Sequence, residues 1–206
     1  MEELIWFSIP GALLATAIMT VWPETIDTEP KAIVWVILVP AIGFVVHQLY
    51  RLIFEASGGY ARKSRSVLQH IINLTDHKDI KDNKKAFLVW EIAFYSDKFP
   101  VAFRDHDRGA WHYILSFWSI SFSAVISCLL CGVGFVLVSS IGVRVLLVAI
   151  GELIIAIIFY LKGRSTYKSL IQQEVAILYT NKDLFLSVLG NLREMWCAGT
   201  VDEHLC

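Results

Sequence analysis

The residues with most chemistry to explain stand in apolar surroundings. Glu152 lies near the middle of the run Val143 to Leu161. A carboxylate at that depth costs several kcal/mol unless it is protonated, paired or reached by water. Its basic candidates match it poorly. Arg144 precedes it by eight residues, about 12 Å along a helix, and His47 lies toward the far end of another apolar run. In the run Tyr113 to Val138, residues Ser116, Ser119, Ser123, Ser127, Cys131 and Gly134 recur at helical spacing. A strip of small and polar groups either lets a neighbouring backbone come close or lines a wet path. An unpaired acid beside such a strip predicts an ion path lined by Glu152, Ser119, Ser123 and Ser127.

The densest polar cluster is Arg104, Asp105, His106, Asp107 and Arg108, followed by Trp111 and His112. Its aspartates and histidine are hard and borderline ligands, and its arginines suit phosphate. Adjacent helical positions point different ways, however, so the segment reads as a solvated elbow, with Arg104, His106 and Arg108 as contacts for a partner or a phosphate. Of the four cysteines, Cys128 and Cys131 share an apolar run while Cys197 and Cys206 lie near the C-terminus. That placement predicts packing residues and free thiols rather than a disulfide framework. No metal or cofactor is expected, and no phosphate loop, zincin pair, hydrolase elbow or redox-cofactor signature is present.

Arg65 and His70, with four residues between them, have a spacing that resembles the arginine–histidine pair of the HEPN ribonuclease family. The resemblance covers those two residues. It implies a helical pair acting on an RNA phosphodiester at a dimer interface, in a membrane accessory of the kind that serves prokaryotic antiviral systems, including CRISPR accessories.

The elements that must carry these residues follow from composition. Of 206 residues, 56% are apolar and 18% charged, with a mean hydropathy of +0.57. That exceeds what a soluble core of this size hides. A hydrocarbon layer of about 30 Å needs about 20 apolar residues in a helix. Four stretches meet that length: Leu4 to Trp22, Ala32 to Phe54, Tyr113 to Val138 and Val143 to Leu161. The fold class expected is therefore all-α, a polytopic membrane protein with four transmembrane helices and a small cytoplasmic helical bundle. Pro10 with Gly11, and Pro40 with Gly43, permit bends in the first two spans.

Basic charge in short loops sets orientation. Only Lys31 and Arg144 fall on one side, against sixteen lysines and arginines on the other, which predicts cytoplasmic N- and C-termini. Between the spans, Ser64 to Thr75 has an amphipathic stripe, Asp76 to Lys85 reads as a loop, and Ala86 to Tyr95 is a short helix or a strand. After the last span, Tyr167, Leu170, Ile171, Val175 and Leu178 form one stripe. Phe185, Val188, Leu189, Leu192 and Trp196 form another, with Thr180 or Asn181 able to cap its start. The division expected is hairpin 1–54, cytoplasmic segment 55–112, hairpin 113–161 and cytoplasmic C-terminal helices 162–206.

With 18 basic against 19 acidic residues, a general nucleic-acid binder is disfavoured. The function expected is a homo-oligomer in the lipid bilayer, conducting an ion along a path regulated by cytoplasmic helices. A membrane-tethered regulator of a cytoplasmic protein or RNA partner, with or without the HEPN-like site, is the alternative. No enzymatic activity other than that one is indicated.

Overall fold

A computed structural model describes residues 2–23, 29–72, 83–97, 99–137 and 142–197, and over them the chain is helical with no strand. In order the elements are α1 (Glu2–Val21), α2 (Glu29–Ala56), α3 (Gly59–Ile72), α4 (Asn83–Tyr95), α5 (Val101–Leu137), α6 (Gly142–Thr180) and α7 (Lys182–Cys197). Two compact units result, one from residues 1–53 and 111–166 and the other from 54–110 and 167–206. Helices α2, α5 and α6 are long and apolar enough to cross a membrane. In α1 the apolar part within the described residues is shorter, Trp6–Val21.

The first unit exposes many large apolar side chains and buries several polar ones. Val36 and Ile37 of α2 are 74% and 70% exposed, and Leu147, Ile154 and Ile158 of α6 are also exposed, whereas His47, Ser119, Ser123, Ser127 and Glu152 are buried. A protein surrounded by water would reverse that distribution; lipid favours it. The backbones of α1 and α2 approach closely. A Cβ on Gly11 would run into the Val39 carbonyl, and one on Gly43 into the Phe7 carbonyl. Only glycine lets both backbones meet there. At the far end of the unit, Ala17 and Val21 of α1, Cys131 of α5 and Val145 of α6 form an apolar cluster.

The second unit has its own core. Val67 and Leu68 of α3, Trp90 and Phe94 of α4, and Phe185 and Leu189 of α7 are buried together. Trp90 stacks on Phe185 with centroids 5.5 Å apart. Helix α4 packs on both α3 and α7, and this resolves the helix-or-strand ambiguity over Ala86 to Tyr95. Gly58, at φ +69°, supplies the left-handed residue that ends α2 and starts α3.

Three expectations change. The Arg104–Arg108 segment is not an elbow but the second turn of α5. Pro100 opens that helix, its carbonyl accepting from the Phe103 and Arg104 N–H groups at 3.1 and 3.3 Å. Helix α6 runs 39 residues without a break, because no proline interrupts the sequence between its apolar run and the following stripe. Thr180 and Asn181 do not cap α7 with their side chains. Thr180 Oγ1 and Asn181 Nδ2 both donate back to the Ile177 carbonyl at 2.9 Å, closing the end of α6. Most of the expected loop Asp76–Lys85 lies outside the described residues.

Candidate functional site

The serine face of α5 is spread over three neighbours. Ser123 Oγ donates to the Pro10 carbonyl of α1 at 2.6 Å, and Ser121 Oγ donates to the Ala156 carbonyl of α6 at 2.8 Å. Ser119 Oγ donates to the Ser116 carbonyl at 2.9 Å and lies 3.2 Å from His47 Nδ1 of α2. With its hydrogen directed at that carbonyl, the Ser119 oxygen is the acceptor and His47 Nδ1–H the donor. These hydroxyls tie α1, α2 and α6 to α5 by interhelical bonds, of the kind worth about 1 kcal/mol each in a membrane.

Ser127 and Glu152 differ. Glu152 is 4% exposed and Ser127 fully buried, and neither Ser127 Oγ nor Glu152 Oε2 has a hydrogen-bond partner among the described residues. The antiparallel register of α5 and α6, set by the Ser121–Ala156 bond and by Gly163 packed on Phe117 and Trp118, puts Glu152 between the levels of Val125 and Leu129, the stretch that holds Ser127. Buried polar atoms of this kind are ordinarily satisfied by ordered water.

The remaining predicted site residues are not brought together. His106 Nε2 pairs with Gln173 Oε1 of α6 at 3.0 Å. Arg108 lies over the Tyr95 ring, 5.6 Å from its centroid. Arg104 is half-buried on another face of the same helix. Arg65 and His70 fall on α3, and their side chains lie outside the described residues.

A second polar centre in the second unit escaped the motif analysis. Lys63 of α3, Asp107 of α5 and Glu174 of α6 are all buried. The Lys63 ammonium contacts Glu174 Oε1, lies 3.8 Å from Asp107 Oδ1, and sits over the Trp90 ring, 5.0 Å from its centroid. Burial pushes the Glu174 carboxyl above the usual carboxylate range, with Lys63 opposing and Asp107 reinforcing the shift. Burial also raises half-buried Glu91, again against the pull of Lys63. No group of three or more His, Cys, Asp or Glu side chains among the described residues is arranged to hold a metal ion.

No family model, curated protein or solved structure matches this chain.

Proposed function

We propose that the chain is a four-span membrane protein with both termini and the second unit in the cytoplasm, and that it conducts an ion through the first unit past Glu152 and Ser127. The observation that carries the proposal is the pair of unpartnered oxygens on facing helices. A sealed acid bonded to a neighbouring hydroxyl would leave neither atom orphaned, whereas a hydrated site supplies partners to both. Ser119 and Ser123 then hold the walls in register while Glu152 and Ser127 face the ion. Burial within one chain favours a path inside each helical bundle, so a homo-oligomer sets such paths side by side rather than creating one.

The topology rests on lengths and charges. At 1.5 Å per residue, the 39 residues of α6 extend about 58 Å, nearly twice the hydrocarbon thickness, so its inner half stands in water. The excess of basic residues around that half supports a cytoplasmic side for it. Glu174, thirteen residues beyond Leu161, lies on that aqueous half.

Full-length protein in liposomes tests the reading. Wild-type protein is expected to pass protons or alkali cations, and Glu152→Gln to lower the flux at least about tenfold, the scale on which removing one charge-stabilising contact acts. Wild-type flux no greater than that of empty liposomes, or equal flux from the variant, removes the ion path. A membrane-tethered regulator is then what remains, supported by the separate core of the second unit. RNA cleavage by wild type and by His70→Ala tests its HEPN-like form.

A further inference from the structure

Lys63, Asp107 and Glu174 present a charge imbalance inside the second unit, where one ammonium meets two carboxyls, all nearly removed from solvent. Two carboxylates beside one ammonium leave a net negative charge in a medium that does not support it. The hydrogen bonding is also incomplete, since Asp107 Oδ1 and Glu174 Oε2 find no hydrogen-bond donor among the described residues. Both carboxyls meet the one Lys63 ammonium and so stand beside each other. A single retained proton answers both deficits, giving the missing donor and returning the cluster to neutrality.

We infer that Asp107 and Glu174 share a proton above Lys63, and that this proton latches α3 to α5 and α6. The groups facing it come from each surrounding helix. Lys63 comes from α3, half-buried Glu91 and the Trp90 ring from α4, Asp107 from α5 and Glu174 from α6, while α7 adds Phe185 and Leu189 to the same core. Glu91 is a third carboxyl near the one ammonium, so its charge also favours retention of the proton. The bond between His106 and Gln173 holds α5 to α6 independently of the proton, so loss of the proton loosens α3. The latch stands whether or not the first unit conducts ions.

The sign follows from linkage. The folded unit holds a proton that the unfolded chain releases at ordinary carboxyl pKa, so closure is fully favoured in acid and weakens as pH rises. Amide exchange of full-length protein in nanodiscs reads this directly, using peptides from α3 and from the inner end of α6 between about pH 6 and about pH 9, corrected for intrinsic exchange. Wild-type protection should fall with pH, by up to about tenfold per unit for one proton. Glu174→Gln and Asp107→Asn replace an ionisable oxygen with an amide donor, so each should stay protected across the range with the slope flattened. Wild-type protection independent of pH, or a variant that keeps the wild-type slope, overturns the inference. Loss of protection at every pH in both variants also overturns it, since the carboxyls would then act only as ionised partners of Lys63.

Discussion

Replacing Gly43 by alanine tests whether the α1–α2 crossing is as tight as described. The added methyl carbon would fall 2.8 Å from the Phe7 carbonyl carbon and 2.9 Å from the Gly11 nitrogen. Both are backbone atoms, which cannot swing aside as a side-chain tip can. The helices must separate, and separation loosens the edge-to-face contacts of Phe7 with Phe44 and His47, at 5.5 and 5.1 Å. Overpacking costs about 1–3 kcal/mol, and the backbone contact argues for the upper end. Alanine returns about 1 kcal/mol of helix propensity. The net loss is about 2 kcal/mol, roughly 30-fold in the unfolding equilibrium. Titration of the full chain from mild detergent into sodium dodecyl sulfate, followed by helical circular dichroism, measures it. Gly190→Ala is the control: nothing lies within 4 Å of a Cβ there, so the same methyl should stabilise α7 by up to about 1 kcal/mol. A Gly43→Ala protein that unfolds no earlier than wild type would refute the close crossing.

Three further outcomes follow from contacts already described. Phe185→Ala empties the centre of the second unit's core, where the ring touches Trp90 and Phe99, and should cost about 3–5 kcal/mol, read as loss of amide protection in α4 and α7. Ser123→Ala removes the bond to the Pro10 carbonyl and should cost about 0.6–2 kcal/mol in the detergent titration. Glu91→Gln should stabilise the second unit at neutral pH, because burial raises that carboxyl above its ordinary 4.5. The wild-type deficit should vanish below about pH 4.5 and grow as pH rises through the raised value, which thermal melts at stepped pH will show.

The long apolar helices α2, α5 and α6 were legible because an apolar run of a given length has few other fates. Glu152 was legible too, as an acid that its surroundings do not suit. The serine strip announced a face but not its neighbours, since periodicity says which residues point together and not which helix answers them. That the Ser123 hydroxyl meets the Pro10 carbonyl is a pairing across 113 residues, and no spacing within α5 contains it.

The Lys63 cluster was missed for a related reason. Its members come from three helices, and each looks like an ordinary surface charge locally. A signal was present all the same: Glu174 falls between Leu170 and Leu178, four residues from each, within the stripe read as core. Asp107 likewise stands four residues before buried Trp111, and Lys63 four before buried Val67. A charge in register with an apolar stripe is the mark of a buried ionic partner. The Arg104–Arg108 segment misled in the opposite sense, because five polar residues in a row resemble a turn while a proline-initiated helix presents them to different neighbours.

The glycine crossing also bears on the order in which the protein assembles. Gly11 and Gly43 lie within the first 43 residues, so this close helix pair is complete before any of α5 leaves the ribosome. Synthesis therefore yields the α1–α2 pair first, with Pro10 already in place. The later hydroxyl helix then has a template to dock onto, and a defect at the crossing would lower the yield of folded chain in the cell as well as weaken the mature protein.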